Sequence, residues 1–121
     1  MIKKEHINKR ISFVEKYFTI IDEDVFIDYI CIHIEDENQI CLTIDSSGEN
    51  IIIISFEEMS DCIKRTAIKY NIEKIIENVF ITDEYYQIDD YKQLIGIKYR
   101  LVDRDLKISI GLDTLIYSFA G

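Results

Sequence analysis

The run Ile51-Ile52-Ile53-Ile54 constrains this chain more than any other stretch. Residues 46–50, Ser-Ser-Gly-Glu-Asn, precede it and form a loop of hairpin length with the glycine such loops favour. The run therefore reads as an uninterrupted apolar strand returning from a tight turn. Exposed, it would be an aggregation hazard, and Glu49, Glu57 and Glu58 flank it as gatekeepers.

Two further strands are expected just upstream. Residues 26–34 place Ile30, Ile32 and Ile34 on one face and Ile27, Tyr29, Cys31 and His33 on the other. Both faces are largely apolar, the pattern of a strand covered on each side. After the polar turn Glu35-Asp36-Glu37-Asn38, residues 39–45 alternate Ile40, Leu42 and Ile44 against Cys41 and Thr43. Short loops make the three an antiparallel meander.

The remaining segments suggest helices and a second group of strands. Ile7, Ile11, Val14, Phe18 and Ile21 recur at spacings of four and three, which predicts an amphipathic helix over residues 3–21. Ser55-Phe56-Glu57-Glu58 matches a capping box, and Met59, Cys62, Ile63, Thr66, Ala67 and Tyr70 follow at helical spacing. A second stripe runs Ile72, Ile75, Ile76, Val79 and Phe80, giving a helix pair or one kinked helix. Residues 93–102 and 105–110 alternate as a C-terminal hairpin. Residues 112–119 fit strand or helix, with strand favoured. The order predicts one α+β domain over residues 1–121, with an N-terminal helix, a meander, a helix pair and a hairpin, the helices packed on a mainly antiparallel sheet.

Composition limits the function classes. The formal charge is −9, and residues 1–16 carry +3 of their own, which leaves −12 on the rest. Such a surface repels nucleic acid and anionic lipid and attracts basic proteins. No stretch reaches the roughly 18 uncharged apolar residues of a membrane-spanning helix, and the N-terminus lacks the apolar run of a signal peptide. Cys31, Cys41 and Cys62 are odd in number and widely spaced, which argues for free thiols in a reducing cytoplasm rather than a disulfide framework or zinc site. Isoleucine takes 27 positions, with no proline or tryptophan, as an AT-rich bacterial genome would encode.

No catalytic signature emerges. Cys31 and His33 share a strand face, which admits a thiolate nucleophile, but no third orienting group is evident from the sequence. The basic N-terminal face reads as a solvated surface. Asp22-Glu23-Asp24 and Asp103-Arg104-Asp105 read as turns, since neither has the ligand spacing of a calcium loop. The four glycines form no phosphate-binding loop, so no cofactor is expected.

The segment that stands out is acidic and aromatic. Asp83, Glu84, Tyr85, Tyr86, Asp89, Asp90 and Tyr91 combine rigid contact surface with carboxylates that steer a basic partner. Glu35, Asp36 and Glu37 are the second choice of binding residues. The expectation is a binding protein and not an enzyme.

In general character, small, acidic and without a catalytic constellation, the chain resembles the immunity proteins of bacterial polymorphic-toxin and contact-dependent growth inhibition systems. The resemblance implies a cognate toxin domain as partner, often a basic nuclease, whose active site or substrate groove is blocked. The alternatives are an acidic nucleic-acid mimic from a mobile element, a small accessory or oligomerisation domain, and a small enzyme.

Overall fold

A computed structural model describes residues 7–34, 40–59, 68–71 and 79–120. Nine strands are present among them: β1 (Arg10–Ile21), β2 (Asp24–Ile34), β3 (Ile40–Ile44), β4 (Ile51–Ser55), β5 (Ile68–Asn71), β6 (Val79–Ile88), β7 (Leu94–Leu101), β8 (Asp105–Ile110) and β9 (Leu115–Ala120). They join in the order β4-β3-β2-β1-β6-β7-β8-β9, with β5 also pairing to β1. Every pairing is antiparallel. The expected α+β class is overturned: the described residues contain no α-helix, only a 3-10 turn at Phe56–Glu58.

The N-terminal segment shows why its helical spacing misleads. Ile11 pairs with Ile34 and Phe13 with His33, so Ser12 is an extra residue bulged out of β1. One inserted residue moves all that follow to the opposite face. Ile11 and Val14, three apart, therefore both reach the core, as they would on a helix. Phe13, Tyr17, Phe18, Thr19 and Ile20 are aromatic or β-branched and fit a pleated surface better than a helix. The capping box at Ser55 is partly realised, since Glu58 Oε1 reaches back to accept from Ser55 N at 3.5 Å and also accepts from the Ser55 hydroxyl at 3.1 Å. No α-helix continues from it within the described residues, and Ile68–Asn71, expected to end a helix, is strand β5. The rest of the expected helix pair, residues 60–67 and 72–78, lies outside the described residues, as do residues 3–6 of the N-terminal prediction.

β2, β3 and β4 form the meander where the alternation placed it. β7, β8 and β9 form a second one, led into by β6. A short bridge, Arg10 to Phe80 and Ile11 to Val79, links the two halves. Their inner faces then pack together: Ile11, Val14, Ile30, Ile32, Ile34, Leu42 and Ile51 meet Ile81, Ile97, Tyr99, Leu101, Leu106, Ile108 and Leu115 in one core. Each side chain buried there contributes about 1.5–3 kcal/mol, which is why the apolar alternation governs the fold. A smaller cluster, Tyr17, Cys31, Cys41 and Met59, covers the other face of β1 to β3. Central strand β2 is thus covered on both sides.

Candidate binding surface

Antiparallel pairing of this kind sends alternate connections to the same end of the molecule. The β3–β4 loop, the β6–β7 turn and the β8–β9 turn meet there, the first two tied together by polar side chains and the third tied to β2. Asp45 anchors the first: its carboxylate accepts from Ser47 Oγ at 2.8 Å, Glu49 N at 3.2 Å, and Asn50 N and Nδ2 at 3.3 and 3.2 Å. These donors, the Ser47 hydroxyl foremost, hold the Asp45 pKa down to about 2. Gly48 takes the positive φ of 76° that closes the loop.

The second turn is built the same way. Asp89 Oδ1 accepts from the amides of Tyr91 and Gln93, each at 2.9 Å. Loop and turn are then joined, because Asn50 Oδ1 accepts from Leu94 N at 3.0 Å and Gln93 Nε2 donates to Glu49 Oε2 at 2.6 Å. The third turn closes through Gly111 N to Thr114 O at 2.8 Å. Thr114 Oγ1 also accepts from Ile27 N on β2 at 2.7 Å. Beyond it, the β1–β2 turn has Asp22 and Glu23 both at positive φ, the geometry of a tight hairpin turn.

The result is an end rich in acid. It carries Asp22, Glu23 and Asp24 on the first turn, Asp45 and Glu49 on the loop, Asp89 and Asp90 on the next turn and Asp113 on the last, with Asp28 on β2 beneath. Lys92 is the lysine among these connections. Apolar groups stand exposed between the acids, above all Tyr91 at 84% and Leu112 at 88%. Two hollows flank Gly48. One, of about 420 Å³, is lined by Asp28, Tyr29, Thr43, Asp45 and Asp113 among others. The other, of about 580 Å³, is lined by Glu49, Asp89, Tyr91, Gln93, Ile95 and Ile110. Burial pushes the Asp28 carboxyl above its ordinary value, partly offset by a hydrogen bond from Thr19 Oγ1 at 3.3 Å.

The acidic and aromatic run expected to bind is divided by strand alternation. Asp89, Asp90 and Tyr91 lie on the acidic end. Glu84 and Tyr86 face inward on β6: Glu84 is fully buried opposite Tyr99, and the Tyr86 hydroxyl donates to its carboxylate at 2.6 Å. Asp83 and Tyr85 face outward onto the sheet, opposite Arg100 and Lys98. The Tyr85 ring lies 4.7 Å from Lys98 Nζ and 5.3 Å from the Arg100 guanidinium. That outer face is of mixed charge, with Lys98 directly opposite Lys107 and Asp105 bonding Arg100. Glu35, Asp36 and Glu37 lie outside the described residues. Unanticipated members of the acidic end are Asp28, Asp45, Glu49 and Asp113, which topology gathers from distant parts of the chain.

Cys31 and His33 share the outer face of β2, as the alternation predicts, and a third group is present after all. Glu15 lies opposite Cys31 on β1 and its Oε1 is 2.6 Å from His33 Nε2. Phe13 stacks on the imidazole with centroids 3.8 Å apart. Glu15 and His33 are each 8% exposed and Cys31 is fully buried. Placing residues 3–21 on a helix hid Glu15, and a strand there would have revealed it. The contact orients the ring within a packed face.

Among the described residues, no group of three or more His, Cys, Asp or Glu side chains is arranged to hold a metal ion. No helix among them is long and apolar enough to cross a membrane. No family model, curated protein or solved structure matches this chain.

Proposed function

We propose that this chain is a cytoplasmic binding protein of the immunity type, which docks a basic toxin domain on its acidic end and blocks it. The observation that supports the reading is the convergence of connections from both sheet halves, presenting Asp45, Glu49, Asp89, Asp90 and Asp113 beside exposed Tyr91 and Leu112. Carboxylates on a protruding end steer a cationic partner during approach. Tyr91 and Leu112 supply apolar contact that slows dissociation. Side-chain anchors already order the loop and turns, so little ordering entropy is lost on docking.

The distribution of charge favours a local patch over an extended nucleic-acid mimic. Lys98, Arg100 and Lys107 interrupt any acidic row across the outer face of β6 to β8. A standard interface takes about 800 Å² of one partner, within the reach of a single end of a domain this size.

The test is charge reversal at Asp89 and Asp90. With the C-terminal domain of the adjoining upstream gene's product as the probe, D89K/D90K should slow association about tenfold and flatten its salt dependence. Unchanged kinetics would remove the acidic end from the account.

A further inference from the structure

Cys31 and Cys41 are opposed residues of β2 and β3, on the face away from the main core. Opposed residues of an antiparallel pair have Cα atoms about 4.5–5.5 Å apart, inside the range of about 4.4–6.8 Å that a disulfide spans. Both thiols are fully buried and their sulfur atoms touch, at 2.6 Å. No loop rearrangement is needed to bring them together. We propose that Cys31 and Cys41 are a site of reversible oxidation, in which a peroxide converts the two thiols to one cross-strand disulfide without changing the strand register.

The step balances. One thiolate attacks a peroxide oxygen, the O–O bond breaks, and a sulfenic acid and water form. The second sulfur then displaces the sulfenic oxygen as a second water, and the S–S bond is made. Two thiols lose two electrons and two protons, and hydrogen peroxide is reduced to two waters. A dithiol reductant restores the pair. Both sulfurs are shielded from solvent, so the reaction proceeds through local opening of the strand pair and is slow. The bond would staple the two strands that carry Asp28 and Asp45 to the acidic end, but the inference rests on strand geometry and not on the proposed partner.

The experiment treats the full chain with hydrogen peroxide, blocks remaining thiols and maps the peptides by mass. No Lys or Arg lies between the two cysteines, so cleavage is made after glutamate, at Glu35 and Glu37. The expected result is a linked pair of peptides containing Cys31 and Cys41, lighter by two hydrogens, with Cys62 still blocked as a thiol. The oxidised protein should melt about 5–10 °C higher, as expected for closing a loop of this length. C62S should behave identically, and C31A should lose both the link and the shift. Two intact thiols, a link through Cys62, over-oxidised sulfurs only, or a lowered melting point would each overturn the proposal.

Discussion

Asn50 and Leu94, 44 residues apart in sequence, join the two halves of the sheet where the acidic connections meet: the Asn50 carboxamide oxygen accepts the Leu94 amide hydrogen bond at 3.0 Å. The same side chain donates to Asp45 through Nδ2 at 3.2 Å. One residue thus orders the β3–β4 loop and fastens it to the start of β7. Asn50→Ala removes both bonds and should cost about 1–3 kcal/mol by urea denaturation. Loss of the cross-link should also loosen the β6–β7 turn, read as faster amide exchange at Tyr91 and Gln93. A variant as stable and as protected as the wild type would mean that the acidic end is not preorganised by this contact.

Asp28 gives a pH-dependent prediction. Burial raises its pKa, so the folded protein binds this proton more tightly than the unfolded chain does. The stabilising contribution is complete below the ordinary carboxylate pKa of 3.8 and is lost as pH rises through the folded value. At pH 7 the ionised group therefore opposes folding. Asp28→Asn should melt higher than the wild type at neutral pH, and the difference should vanish in acid. Equal midpoints across the range would contradict the burial argument.

Two tyrosines should titrate late. Burial, followed by the Glu15 carboxylate and the Cys31 and Cys41 sulfurs, pushes the Tyr17 phenol up to about 12. Burial and Glu84 push Tyr99 up as well. Both groups favour folding fully below about pH 10, and that contribution is lost as pH rises through their folded values. Tyr17 and Tyr99 should therefore ionise in a late step that coincides with alkaline unfolding. Tyr17→Phe and Tyr99→Phe should each shrink that step in a tyrosinate absorbance titration. A titration with no late step, or one that neither substitution shrinks, would be the contrary result.

Glu84 separates structure from binding within the run once expected to form one surface. Its buried carboxylate accepts the Tyr86 hydroxyl at 2.6 Å. Glu84→Ala should cost about 1–3 kcal/mol of stability, because a polar partner loses its bond in the interior. Glu84→Gln keeps an acceptor oxygen and should recover part of the loss. Neither should alter partner association while the protein stays folded. A binding defect in stable Glu84→Gln would bring the core side of β6 into the interface.

Those outcomes bear on what a sequence of this kind discloses. The strands β2, β3, β4, β7 and β8 were legible, because period-two alternation between short polar turns has one simple solution. β1 was not: the bulge at Ser12 converts a strand's spacing of two into the three that separates Ile11 from Val14. The acidic end was half legible. Asp89, Asp90 and Tyr91 sit in a turn whose polarity is visible in sequence. Glu84 and Tyr86 differ from Asp83 and Tyr85 only in strand parity, which stayed hidden while the segment was not placed on a strand. Asp28, Asp45 and Asp113 become neighbours only through the fold that lines one hollow with all three.

The most direct measurement is co-expression with the product of the adjoining upstream gene, scored for growth and co-purification, using the wild type and D89K/D90K in parallel. The neighbour's C-terminal domain should arrest growth, the wild type should restore it as a stable complex, and the reversed variant, folded and equally abundant, should do so poorly. A harmless neighbour with nothing co-purified, or rescue unaffected by the reversal, would contradict it.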